Sequence, residues 1–161
     1  EGQTMRYTTK TEYGLVCLVY MARHGTNGSV TIKEITDREH LSPTYIEKIF
    51  QILRAANIVV SHAGKQGGFA LTRSPSQITL REIIEALEGQ TYDVFCEPEV
   101  RENIVCTHFG MCGIRPVWVK TKELLDQFFG SITLEMVAKE EHQAKTLIAS
   151  EEEKWQVNRK I

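Results

Sequence analysis

The hydrophobic period of this chain changes at residue 58, and that change restricts the folds open to it. Before it, apolar residues recur at helical spacing. After it, IVVS at 58–61 and FALT at 69–72 read as short strands, and the glycine-rich HAGKQGG between them closes a hairpin. Two short helices lead into the hairpin. The first, TIKEITDREH, opens on a capping box of Thr31 with Glu34. The second opens on Ser42 as N-cap with Pro43 at its first helical position, keeps Ile46, Ile49, Phe50 and Leu53 on one face, and ends near Asn57.

Around this unit the pattern is helical. TKTEYGLVCLVYMARH at 9–24 is apolar nearly all round, with Thr9 and Glu12 spaced as a capping box, and GTNGS after it is a turn. Pro75 breaks the chain, and Thr79 with Glu82 opens LREIIEALEG. Residues 90–115 have weak periodicity and read as a loop. Pro116 starts a long helix carrying Val117, Leu124, Leu125, Phe128, Phe129 and Ile132, and a last amphipathic segment frays at SEEEKWQVNRKI. The expected fold is mainly α with a small β-wing: a winged helix-turn-helix over 5–89, a cysteine-bearing loop over 90–115, the long helix and a following helix over 116–145, and a charged tail over 146–161.

A chain of 161 residues with 42% hydrophobic and 25% charged residues suffices for one ordinary globular core. Glu1–Thr4, ahead of Met5, read as an added lead. No apolar run is long enough to span a bilayer, so the expected compartment is the cytoplasm, without a membrane partner. The net charge of −2 hides an asymmetry. The first eighty residues carry nine Lys and Arg against six acids; the remainder carry ten against fifteen. A polyanion would therefore meet the front half. No G-x-S-x-G, P-loop or H-E-x-x-H is present, and the chain is read as a non-enzyme without a small-molecule substrate.

A helix pair followed by a wing suits DNA. The second helix of such a pair lies in the major groove and presents its N-terminal turn to base edges. Here that turn offers Thr44 and Tyr45 for phosphate or base, Glu47 for a cytosine amino group, and Lys48 for guanine or phosphate. The wing offers His62, Lys65 and Gln66. The competing reading makes Glu47 and Lys48 an ordinary solvated face.

Three of the four cysteines, Cys96, Cys106 and Cys112, fall within seventeen residues as C-x9-C-x5-C. Thiolates on a flexible loop are the usual ligands of iron–sulfur clusters. Zinc usually takes a closer cysteine pair, a disulfide suits another compartment, and three unrelated thiols are the plainest alternative. Three cysteines leave a cluster one ligand short. Cys17, within LVCLVY, reads as core.

MRYTTKTEYGLVCLVYMARHG, LSPTYIEKIFQILRAANIVVSHAGKQGGFALTR and ITLREIIEALEG, in that order, resemble the bacterial iron–sulfur winged-helix regulators that include IscR, NsrR and RirA, with the first block nearest to NsrR. The resemblance covers about residues 5–138. It implies a homodimer joined through the long helix near 116–130; Leu125, Phe128 and Ile132, which recur at helical spacing, are the expected apolar stripe between subunits, the alternative being packing within one chain. It implies a pseudo-palindromic operator in double-stranded DNA. It assigns operator reading to Thr44, Tyr45, Glu47 and Lys48, and makes Arg6 and the wing phosphate or groove contacts. Ala63 stands where IscR-like wings carry arginine, which leaves Lys65 as the nearest substitute. It implies a 2Fe–2S or 4Fe–4S cluster on Cys96, Cys106 and Cys112. Arg115 stands where IscR-like proteins place a histidine. Glu12 stands where NsrR-like proteins place an aspartate ligand from the partner subunit, and so becomes the first candidate for fourth ligand, ahead of His108.

The function expected from this reading is a dimeric, sequence-specific transcription regulator of repressor type. Its DNA affinity would be controlled by an iron–sulfur cluster sensing iron, nitric oxide or redox state. The alternatives are a cluster-free thiol- or ligand-responsive regulator and an iron–sulfur protein of electron transfer.

Overall fold

The computed structural model describes residues 7–25, 28–64, 67–92, 106–108 and 110–158, with 155–158 described by backbone alone. In chain order the elements are α1 (Thr9–His24), α2 (Ile32–Glu39), α3 (Pro43–Ala55), β1 (Val59–His62), β2 (Gly68–Leu71), a 3-10 turn (Pro75–Gln77), α4 (Leu80–Glu88), α5 (Arg115–Ser131), α6 (Leu134–Val137) and α7 (Glu141–Asn158). The expected mainly helical fold with a two-stranded wing is present. The C-terminal segment is helical through Asn158, across the stretch expected to fray.

Two of the three expected capping boxes form. Thr31 and Thr79 each accept from the backbone N–H of the glutamate three residues on, and each glutamate accepts in return from the threonine N–H. The Thr9–Glu12 box does not form. The N-cap of α1 is Thr8, and the Thr8 and Thr11 hydroxyls are committed elsewhere: both donate to Oε1 of Glu88, at 2.5 and 2.6 Å, and the Thr8 N–H joins them at 3.0 Å. The carboxylate that receives α1's first turn thus comes from the end of α4. Ser42 occupies the N-cap of α3 as expected, but its carbonyl, not its side chain, receives the first N–H groups, from Tyr45 and Ile46.

The turn between α2 and α3 is made by His40, held at φ 55° and ψ 40°, with its N–H returning to the Thr36 carbonyl. Leu41 N–H reaches the same carbonyl at 3.2 Å. This left-handed position after a helix favours glycine, because a Cβ crowds the carbonyl that follows. His40→Gly is therefore expected to raise stability by roughly 1 kcal/mol in urea unfolding, with α2 and α3 unmoved.

The core forms where α1, α2, α3 and α4 meet: Cys17, Leu18, Ile35, Ile46, Phe50, Leu53, Ile78 and Ile83 are fully buried. β1 and β2 pair antiparallel with Val59 opposite Leu71 and His62 opposite Gly68. Val30 adds a bridge on the other side of β2, exchanging 2.8 Å hydrogen bonds with Phe69. The close backbone approach there needs a glycine. A Cβ on Gly68 would stand 2.7 Å from the Val30 carbonyl oxygen.

The long helix is tied to this unit at its end. Leu80 N–H donates to the Ile132 carbonyl and Leu134 N–H to the Ile78 carbonyl, both at 2.8 Å. Ile132, expected on an intersubunit stripe, is instead 1% exposed within its own chain. Its place just past the end of α5, in the short bridge to α4, turns it inward. Leu125 and Phe128 remain half-buried on α5, which has no fully buried residue.

Candidate functional site

α3 divides cleanly. Ile46, Ile49, Phe50 and Leu53 fill the core, and the opposite face presents Thr44, Glu47 and Lys48 to solvent. Helical spacing extends that face to Gln51 and Arg54, also exposed. The expected contacts stop one turn short of these two, although counting seven residues on from Thr44 and from Glu47 reaches them. Tyr45 differs from its neighbours. It is half-buried, and its ring meets the ring of Tyr13 on α1 edge to face, with centroids 5.9 Å apart and planes at 82°. Tyr13 carried no signal of its own in the sequence.

The wing packs against α3. Ser61, His62 and Ala63 are exposed, and Phe69 of β2 packs on Phe50 of α3 with centroids 4.6 Å apart. The wing and α3 therefore share a footing in the core. Arg6, Lys65 and Gln66 lie outside the described residues.

Of the three cysteines expected as ligands, Cys106 and Cys112 are described. Both are free and half-buried, in a turn-rich segment that runs into α5. His108, between them, is exposed, and its carbonyl accepts from Met111 N–H at 3.0 Å. Cys96 lies outside the described residues, and among those described no three His, Cys, Asp or Glu side chains converge. Glu12 is exposed on the first turn of α1, and with the capping box unformed its carboxylate has no hydrogen-bond partner among the described residues. Two half-buried soft thiols on irregular backbone, with a third cysteine upstream in the sequence, are of the chemistry a cluster takes. Next to the thiols, Met111, Ile114, Val117 and Trp118 leave a run of apolar surface exposed.

The start of the cysteine segment is anchored. The buried Thr91 donates its hydroxyl to Asp126 of α5, and its carbonyl accepts from the Tyr7 hydroxyl at 3.2 Å. Asp126 also receives Lys122 at 3.0 Å and faces Arg81 of α4 at 3.5 Å. Burial alone would raise the Asp126 carboxyl. Thr91, Lys122 and Arg81 outweigh it and hold the group below the usual carboxylate range. Cys17 is sealed in the core as expected: burial, with Glu39 adding to it, pushes its thiol up to about 12.

Residues 7–140 match the family profile described as Rrf2, an iron-dependent transcriptional regulator. Protein rrf2 of Nitratidesulfovibrio vulgaris is 31% identical over 130 residues, covering 81% of this chain and 85% of that protein. Among solved structures, CymR of B. subtilis, described as its global cysteine regulator, superposes with a TM-score of 0.70 at 29% identity, covering 84% of this chain and 97% of that one. IscR of T. potens superposes with a TM-score of 0.63 at 31% identity, covering 83% of this chain and 86% of that one.

Proposed function

Because the chain belongs to the Rrf2 family of DNA-binding transcription regulators, we propose that it is a homodimeric, operator-specific regulator whose DNA affinity is set by an iron–sulfur cluster. The observation that carries the DNA reading is the division of α3 into a core face and an exposed face bearing Thr44, Glu47 and Lys48, with the wing beside it. A dimer would place two such faces on successive half-sites. Arg6, Lys65 and Gln66 are assigned to phosphate and groove contacts. The exposed apolar run from Met111 to Trp118, with Leu125 and Phe128 further along α5, supports a subunit interface there. No helix among the described residues is long and apolar enough to cross a membrane. The chain is read as a cytoplasmic regulator and not an enzyme.

Cys96, Cys106 and Cys112 would hold the cluster, with Glu12 of the partner subunit as fourth ligand and His108 as the substitute. When bound, the cluster would supply an iron open to oxidation, nitrosylation or loss. The protein's own part is the anchoring of the cysteine segment. Thr91 fixes the segment's start to α5 through Asp126, and Asp126 faces Arg81 of α4, so order in the segment bears on the helices beneath the reader. A second reading is a metal-free, thiol-responsive regulator. The likeness to CymR, a global cysteine regulator, favours it, and Cys106 and Cys112 would then be the responsive groups.

Anaerobic purification separates the two. The cluster reading expects visible absorbance that is lost in Cys106→Ala and in Cys112→Ala and kept in Cys17→Ala. Colourless protein whose DNA affinity still responds to thiol oxidants would establish the second reading in its place. For the DNA face, Lys48→Ala is expected to weaken binding to a selected operator duplex by roughly 1–3 kcal/mol. Unchanged affinity in a mobility-shift titration would remove α3 from that role.

A further inference from the structure

We infer that Tyr13 of α1 is a positioning residue for operator reading: its ring sets the orientation in which Tyr45 of α3 is presented to DNA. The inference rests on the reading of α3 given above and deepens it. Tyr45 sits in the first turn of α3 with both neighbouring faces spoken for, since Ile46 is buried and Thr44 is exposed. Its backbone N–H is held by the Ser42 carbonyl at 3.1 Å, which fixes its Cα but not its ring. The ring is held by Tyr13, edge to face at 82°. Among the described residues the Tyr45 hydroxyl has no hydrogen-bond partner, so it is free to meet a phosphate or a base. A tyrosine that must find one base edge needs a fixed rotamer, because freezing a mobile ring on binding subtracts from affinity.

The backbone that carries Tyr13 is itself held to within a side chain's width. Gly14 is buried, and a Cβ there would stand 2.6 Å from Cδ1 of Leu87 on α4 and 3.5 Å from Cγ2 of Ile49 on α3. α1 is therefore pressed against α3 and α4 at the residue next to Tyr13, and the ring leaves a backbone that cannot slide. Glu12 precedes it on the exposed side of the same turn. Three consecutive residues thus face outward, toward the reader and into the core.

The test uses the full-length protein and a duplex selected from randomised DNA by the wild type, with a scrambled duplex as the non-specific probe. Tyr13→Leu keeps apolar bulk and removes the ring; it is expected to weaken the selected duplex about tenfold, the scale of one aromatic pair. The scrambled duplex should change less than about twofold and the salt slope should stay, because phosphate contacts are untouched. Tyr13→Phe should bind as wild type. Should the leucine variant fail to fold, Tyr13→Met takes its place. In a Tyr45→Ala background the Tyr13 substitution should have no further effect on specific affinity. The inference is overturned by a folded Tyr13→Leu that binds the selected duplex unchanged, by equal loss on both duplexes, or by additive losses in the double variant. If Lys48→Ala and Tyr45→Ala themselves leave the selected duplex unchanged, the reading of α3 falls and the inference with it.

Discussion

Replacing Glu88 with alanine is expected to cost the fold roughly 3 kcal/mol, which is large for one partly exposed side chain. One carboxylate oxygen receives the Thr8 N–H, the Thr8 hydroxyl and the Thr11 hydroxyl. Thr11 is fully buried, so alanine at 88 strands its hydroxyl where water does not reach. The same carboxylate stands at the N-terminal end of α1, where a negative charge is favoured. Glu88→Gln keeps an acceptor at this place and should recover about half the loss, since hydrogen bonds to a neutral acceptor are about half as strong. The effect depends on pH with a fixed sign. Burial acts to raise the Glu88 carboxyl, but hydrogen bonds from Thr11 and Thr8, with Lys10 nearby, outweigh it and hold it below the usual carboxylate range. Its contribution is therefore complete above the ordinary carboxylate pKa of about 4.3 and fades as pH falls through the lower folded value. Urea midpoints between pH 7 and pH 3 should converge for wild type and Glu88→Gln at the acid end. Parallel curves would show that the charge contributes nothing.

The second large effect is expected at Gly68. Gly68→Ala places a methyl 2.7 Å from the Val30 oxygen and 2.9 Å from the Val30 carbonyl carbon. Both obstacles are backbone, so the strand must move and no side chain can swing aside. A loss of roughly 2–3 kcal/mol is expected, the upper range for overpacking. The Val30–Phe69 hydrogen bonds should open with it, and hydrogen exchange at those two amides reads that directly. Gly113→Ala is the control, since among the described residues nothing lies within 4 Å of a Cβ there. Equal stability losses at 68 and 113 would show that the close approach carries no weight.

What the sequence revealed, and what it hid, follows the range of the interactions. The boxes at Thr31 and Thr79 close within three residues, so spacing alone finds them. The start of α1 shows the same Thr-x-x-Glu spelling and folds otherwise, because its partner Glu88 lies 80 residues from Thr8. No local pattern announces a cap that arrives from another helix. The wing strands were legible to within one residue. The shift comes from Gly68, which pairs with His62 where glycine is usually read as turn. On α3 the apolar repeat told which side is buried and thereby which side faces solvent. It could not show that Tyr45 leans on Tyr13, since that contact joins two helices across 32 positions of chain. Ile132 illustrates the opposite error. Its spacing continues the α5 stripe, but the helix ends at Ser131 and the next residue follows a different backbone.

The sealed thiol of Cys17 gives the protein a built-in clock. A thiol-specific reagent added to a variant lacking the three loop cysteines has one sulfur left to modify, and that sulfur is fully buried among α1's core residues. Modification then waits for the core to open, and its rate divided by that of a free thiol reads the free energy of opening. Followed with and without operator DNA, the same single sulfur would report how tightly the duplex clamps the helices around it, with no dye, tag or denaturant in the tube.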